Sequence, residues 1–442
     1  AAAAATLLIC GLAAAASPVL DLDRFPQLGE AYLPIAPDAP VVGLAEQSVY
    51  ADLYMTNHFA PWRNEDLSYL DLSLDRIAAW HKNLVKKQYY TAKAAAFPKG
   101  SLTNVLSNGP LSSDLTSKPG ICVSDADVRV LPTDAQLFSS AASARGDRGL
   151  LKLDQLQNST VKPGEPVAIF ARSLDGKWLF IATGSVVGWI KTEKAAFVDE
   201  DFMDRFIYAP YAVFVRDNVE IRDKGGAFLA TAKMGTILPF EGSDLMMPVR
   251  GKNGVASVVP YKPKPGEVET FPIVFTPRNA ARAMDELLGE PYGWGGSGRQ
   301  RDCSALTMDY FSLFGVWLPR NSADQASVGA IVPLSNIPVE ERPRTIVENG
   351  VPFATLVHMP GHIMLYVGLY DSEPVVLHNT WGVRVKDDSG SVSRVVIGRA
   401  VVSSLRAGAE IKNRPQSSLY IDNVDKLSFP IGGLDGRVGL AR

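Results

Sequence analysis

One cysteine and two histidines in the last third of this 442-residue chain have the types and order of a nucleophile and its base. Cys303 ends a glycine-rich stretch, residues 292–305, Y-G-W-G-G-S-G-R-Q-R-D-C-S-A, and is one of three cysteines. His362 and His378 follow it and are two of five histidines. A thiol is a modest nucleophile at neutral pH, and a helix N-terminus with a nearby imidazole lowers its pKa. Asp302 is a capping residue type, which predicts Cys303 in the first turn of a helix, where the dipole favours a thiolate. The chemistry this allows is a triad: Cys303 as nucleophile, His362 as base, and His378 accepting the other N–H of His362. Taken alone, a free Cys is commonly a small buried hydrophobe, and a lone His commonly structural. The three together favour catalysis.

Positioning these groups requires helices and strands, and the sequence signals both. T-P-R-N-A-A-R-A-M-D-E-L-L-G, from Thr276, opens with Pro in the first turn and ends on Gly289, which predicts a helix. A second helix is predicted from Cys303, with Leu306, Tyr310, Leu313 and Phe314 on one face and Gly315 as its stop. H-I-M-L-Y-V-G, P-V-V-L-H-N-T and S-R-V-V-I-G read as strands. If the first two pair as a hairpin, His362 and His378 come within a few positions of each other. Two other patterns compete. Gly293, Gly295 and Gly298 satisfy the dinucleotide-binding spacing, but that motif needs a strand leading in, and here a helix precedes. His358 and His362 have the i, i+4 spacing of a helical zinc site, but Pro360 and Gly361 between them deny the helix. No metal or cofactor is predicted.

Upstream the texture differs. Residues 21–118 mix Pro-rich and helical segments, including a run in which Leu74, Ile77, Trp80 and Leu84 predict an amphipathic helix. Residues 119–198 give alternating short strands divided by Asp175-Gly176 and by Gly188, the pattern of a small barrel. Residues 199–268 repeat it more faintly, a degenerate second barrel. Residues 269–410 hold the helices and strands of the candidate site, and 411–442 form a tail without periodicity. Residues 1–20 read as a secretory leader, with residues 14–16 as a small-residue cleavage site. A secreted or periplasmic location is therefore expected, with lipid anchoring through Cys10 as an alternative that Ile9 does not favour. No later segment has the ~20 apolar residues of a membrane span. With 44 basic and 47 acidic residues, net charge -3, the chain has no electrostatic case for nucleic acid. Cys122 and Cys303 could pair in an oxidising compartment, but the surroundings of Cys303 argue for a free thiol.

At this point four motifs in order, P-Y-G-W-G-G…D-C-S-A, L-P-R-N-S-A-D-Q, P-G-H-I-M-L-Y-V-G and V-L-H-N-T, resemble the NlpC-type cell-wall peptidases of the papain-like superfamily. H-F-A-P-W-R at 58–63 and the two barrels resemble members with an N-terminal helical segment and bacterial SH3-type domains. The fold this implies is multidomain α+β: a helical N-terminal region, two SH3-like β-barrels, and a C-terminal papain-like catalytic domain. The activity implied is a cysteine endopeptidase that hydrolyses the γ-D-glutamyl–diaminopimelate bond of peptidoglycan stem peptides, the freed ones with an unblocked L-Ala. By the same resemblance Tyr292 and the Cys303 N–H hold the oxyanion, Asp302 and Ser304 contact the substrate amine, and Arg320 and Gln325 are supports. The interval from His362 to His378 is longer than the family leads one to expect, which leaves Asn379 as an alternative third residue. The second barrel lacks a counterpart to Trp189, which puts a ligand role for it in doubt. The competing readings are a non-catalytic murein-binding protein and an amidase or acyltransferase on the same scaffold. Nothing in the sequence specifies an oligomeric state.

Overall fold

The computed structural model describes residues 18–98, 100–387 and 390–432. Most of the predicted leader lies outside the described residues. Residues 118–197 form a seven-stranded antiparallel sheet whose strands are the predicted first barrel, with Gly176 turning the hairpin between Pro166–Arg172 and Trp178–Ala182. Gly188 is not a turn. It lies inside the strand Val187–Lys191, where a Cβ would come 2.7 Å from the Arg129 carbonyl oxygen, so close strand approach explains the glycine. Residues 211–270 form a five-stranded sheet with a separate hairpin, Val219–Arg222 with Phe228–Ala232.

In the helix Leu74–Leu84 the buried stripe is Leu74, Ile77, His81 and Leu84, while Trp80 is 47% exposed. The predicted face was one residue off at its centre: His81 packs inward because its ring is half apolar, which hydropathy alone does not show. The N-terminal region ties the other parts together. Trp62 Nε1 donates to the Gly120 carbonyl of the first barrel at 2.6 Å. Gln47, buried, donates to the carbonyls of Ile273 and Phe314 and accepts from the Phe275 N–H.

The C-terminal domain is a six-stranded sheet in the order Ala330–Pro333, Lys426–Phe429, Leu356–Met359, His362–Tyr370, Glu373–Lys386, Val392–Ser404. The helices Pro277–Leu287 and Cys303–Ser312 pack on it through one large apolar core that includes Met284, Leu287, Leu306, Tyr310, Leu365 and Leu377. The strand Lys426–Phe429 sits inside this sheet, between Ala330–Pro333 and Leu356–Met359. Of the predicted tail, residues 411–432 are therefore not a separate segment. Four alternating residues inserted between distant strands leave too short a pattern to read in sequence.

Candidate active site

Asp302 is the N-cap of the Cys303 helix, its carboxylate accepting from the Ala305 N–H at 2.9 Å. Cys303 is thus held in the first turn, as its sequence context predicts, and it is 7% exposed. The Ile363 backbone N–H, next to His362, is directed at its sulfur. His362 opens its strand and His378 lies on the next. Leu365 stands opposite Leu377, so His378 falls diagonally across from His362 on the same face. The result is a contact of 2.8 Å between His362 Nε2 and His378 Nδ1. Asn379, one position on, faces the other way. Its Nδ2 donates to the Arg301 carbonyl at 2.8 Å and holds the loop before Cys303.

Tyr292 lies edge-on to Trp381, 6.1 Å between ring centroids, and close enough to Cys303 for a thiolate there to raise its pKa, after burial as the larger cause. A cleft of about 200 Å³ is lined by Tyr292, Trp294, His362, Trp381, Arg394 and Tyr420. Leu151, from the first barrel, lines it too. The loop around it is fixed to the C-terminal sheet: Trp381 Nε1 donates to the Gly149 carbonyl at 2.7 Å and Ser393 Oγ to that of Arg148 at 2.8 Å. Tyr420 stacks on His362 at 5.8 Å and lies edge-on to His378 at 5.1 Å. It comes from the segment that looked featureless, and a lone aromatic after a polar stretch gave no signal. A larger cavity, about 480 Å³, lies between the two barrels and the Cys303 helix, lined by Lys162, Glu165, Met308 and Asp309; neither Cys303 nor His362 reaches it. His362 and Tyr292 line the smaller one.

The electrostatics differ from the simple expectation for a helix-start thiol. Burial, and then the Asp302 carboxylate, push the Cys303 thiol up to about 12, against smaller opposing effects of the Ile363 N–H and Arg320. Burial, then the nearby His358 and Arg394 side chains, push His362 down to about 4. Burial likewise drives His378 far below its ordinary range. At rest the pair is therefore a thiol and a neutral imidazole. A proton passed from Cys303 to His362 stays within the pair and leaves its net charge unchanged. The consequence is a shifted acid limb: His362 remains a free base as pH falls until about 4, so kcat/KM should hold well below the ordinary imidazole pKa near 6.5. A pH–rate profile with its acid midpoint near 6.5 would contradict this.

Asp302 and Ser304 have their partners already. The Asp302 carboxylate takes a bidentate pair from Arg320, at 3.1 and 2.7 Å, and the Gly295 N–H at 3.0 Å. Burial pushes its pKa up, and Arg320 with the two backbone N–H groups more than offsets that, so it stays ionised. Ser304 Oγ donates to Asp302 at 3.2 Å and accepts from Arg320 at 2.9 Å. Arg320 Nε also reaches Ser159 Oγ of the first barrel, 2.8 Å. Gln325 donates to the Ser304 carbonyl at 2.8 Å, a support as expected of its position.

The glycine-rich loop is explained by the same barrel. Gly295 and Gly296 have φ of 58 and 83°, and a Cβ on them would meet Gln157 O at 2.8 Å and Thr160 Cγ2 at 2.6 Å. The strand Gln157–Val161 thus presses the loop from behind, and no strand leads into it. Arg301 is a residue that sequence reasoning missed. It is 2% exposed and pairs with Asp217 and Asp309 at 2.6 Å and Glu290 at 2.7 Å. Lys233 meets Glu290 at 2.6 Å, and Lys162 meets Asp309, so both barrels and the Cys303 helix join in one buried ionic knot. Among the described residues no three His, Cys, Asp or Glu side chains are grouped to hold a metal ion. His358 and His362 lie on the two strands of a hairpin, not along a helix; His358 stands opposite Ile363, so the two rings point to opposite faces, and His358 Nδ1 is 2.7 Å from Asp425. Cys122 and Cys303 are both free and buried.

Residues 289–400 match the model of the NlpC/P60 family, and residues 2–113 match its N-terminal stabilising domain. The chain belongs to the NlpC/P60 family. Its barrels match SH3 domains of the SH3b1 type, residues 137–191, and the SH3b2 type, residues 199–244. The NlpC/P60 fold is seen over nearly the whole chain in an NlpC/P60 endopeptidase from Photobacterium damselae subsp. piscicida. That structure has a TM-score of 0.80 at 24% identity and covers 92% of this chain and 97% of its own. An NlpC/P60 family protein from Bacillus cereus is also similar, TM-score 0.47 and 15% identity over 70% of this chain and 98% of its own. A probable endopeptidase of Corynebacterium glutamicum is 36% identical over 72 residues, 16% of this chain. The match spans about a third (34%) of that relative's length. Among the described residues no helix is long and apolar enough to cross a membrane.

Proposed function

We propose that this NlpC/P60 chain is a cysteine endopeptidase that hydrolyses the γ-D-glutamyl–diaminopimelate bond of peptidoglycan stem peptides. The observation that carries the reading is the 2.8 Å His362–His378 contact, with His362 and Tyr292 lining one cleft and Cys303 at the start of its helix. In the mechanism, the Cys303 sulfur attacks the γ-carbonyl carbon of D-glutamate while His362 takes the thiol proton. The tetrahedral oxyanion is held by the Tyr292 hydroxyl and the Cys303 backbone N–H. On collapse the C–N bond breaks, and His362 returns the proton to the departing diaminopimelate amine. Water, deprotonated by His362, then cleaves the thioester and restores the thiol. His378 orients His362 throughout.

A preference for freed peptides with an unblocked L-Ala is supported chiefly by the cleft, which the Leu151 loop of the first barrel bounds at one side. Asp302 supports it less, because Arg320 already balances its charge. The substrate and the alanine-rich leader both point to a location outside the cytoplasm. The test compares L-Ala-γ-D-Glu-diaminopimelate with its N-acetylated form by mass spectrometry of the products. Release of free diaminopimelate from the first, with kcat/KM at least about tenfold lower for the second, is expected, since a lost charge-assisted contact is worth at least that factor. Equal rates on both would remove the free-amine preference; no release from either would remove the assigned bond.

A further inference from the structure

Ser403, near the end of its strand, stands opposite Val376, two residues before His378, so both side chains point to one face. Its Oγ lies 3.1 Å from His378 Nε2. The same hydroxyl donates its single hydrogen to the Ser404 carbonyl oxygen, 2.9 Å away. A hydroxyl so committed offers the imidazole only a lone pair, so His378 Nε2 must carry a hydrogen and donate it. His378 Nδ1 is then the bare nitrogen. At 2.8 Å it can only accept from His362 Nε2. The His362 hydrogen is thereby placed on Nε2, and Nδ1 is left with the free lone pair.

We propose that Ser403 is a positioning residue which, through His378, fixes the tautomer of His362 and keeps its Nδ1 unprotonated to act as the base. This deepens the hydrolase reading of the same site and rests on it. The opposite tautomer of His378 would set N–H against N–H across the 2.8 Å contact, or turn the His362 hydrogen onto the nitrogen that must take the thiol proton. Ser403 and His378 are both fully buried, so no bulk water is at hand to substitute for the hydroxyl. The end of the relay is itself held. Ser404 donates from N at 2.9 Å and from Oγ at 2.7 Å to the Asp21 carboxylate, which fixes the strand end that presents the accepting carbonyl. Burial keeps both imidazoles neutral, the state in which a tautomer has to be chosen.

The experiment is long-range ¹⁵N–¹H correlation of the histidine rings in the full chain, together with the rate of Cys303 alkylation by iodoacetamide. The wild type is expected to show protonated Nε2 and bare Nδ1 on both His362 and His378. Ser403→Ala should give mixed tautomers at both rings. Alkylation at neutral pH and peptide hydrolysis should each fall about tenfold, the scale of one buried hydrogen bond. Ser403→Thr, which restores the hydroxyl, should recover both. A wild-type spectrum with His362 protonated on Nδ1 would overturn the proposal, and this reading stands even if Ser403→Ala fails to fold. Ser403→Ala with wild-type tautomers would overturn it too, whatever happens to activity, since Ser403 would then serve packing alone. Ring spectra and alkylation need no substrate, so failure of the assigned peptide bond would leave this result distinct.

Discussion

Replacing Cys303 by alanine is expected to lower kcat/KM on L-Ala-γ-D-Glu-diaminopimelate by about 10⁴-fold or more, because no neighbouring group can form the thioester in its place. His362→Ala should cost a similar factor. The double variant should be little worse than either single one, since the two act as a unit. His378→Asn is the informative contrast: an amide oxygen can still accept the His362 Nε2–H, so about ten- to hundredfold is expected, and His378→Ala should lose more. Progress curves on the five variants, with diaminopimelate release as the signal, check all of this. Substantial turnover by Cys303→Ala would contradict it.

The second large effect is expected at Arg301, which touches no substrate. Its guanidinium is buried against Asp217, Glu290 and Asp309, and it holds Asp217 down to about 2 despite the burial that pushes that carboxyl up. Arg301→Met would leave three buried carboxylates to Lys162 and Lys233 alone. Removing one partner from a buried ion pair typically costs about 3–5 kcal/mol. A large fall in the thermal midpoint is expected, and a fall in kcat for whatever fraction stays folded, because the Arg301 carbonyl also anchors Gly293 and Asn379 around the loop. Arg278→Ala, which breaks an exposed pair with Asp38, should leave the midpoint unchanged. Differential scanning calorimetry of the two variants tests the contrast. Equal small shifts would show that the knot is not what holds the barrels to the Cys303 loop.

What was legible in the sequence was whatever rests on local pattern. Thr276 with Pro277, Asp302 as cap, and the alternating strands carrying His362 and His378 were each signalled within a dozen residues, and each formed where expected. What escaped depends on pairing across hundreds of positions. Arg301 reads as one more charge in R-Q-R-D until Asp217 from a separate domain is brought against it. Tyr420 and the strand Lys426–Phe429 carry no periodicity of their own, and only their insertion into the sheet gives them a role. Ser403 is an ordinary strand residue until the register sets it beside His378. The glycine-rich loop is intermediate: its glycines were plain, but their reason, a barrel strand pressing from behind, was not. Even the capping of Cys303, correctly placed, did not reveal that burial would outweigh the helix dipole and keep the thiol protonated at rest.

Intact-mass spectrometry of the full chain, acid-quenched during turnover of L-Ala-γ-D-Glu-diaminopimelate, tests the central claim most directly. A thioester intermediate predicts a transient species heavier than the free protein by L-Ala-γ-D-Glu less water, mapped to the peptide that contains Cys303 and absent in Cys303→Ala. Diaminopimelate release that continues in Cys303→Ala, or an adduct that maps to another residue, would contradict the assignment of Cys303 as the nucleophile.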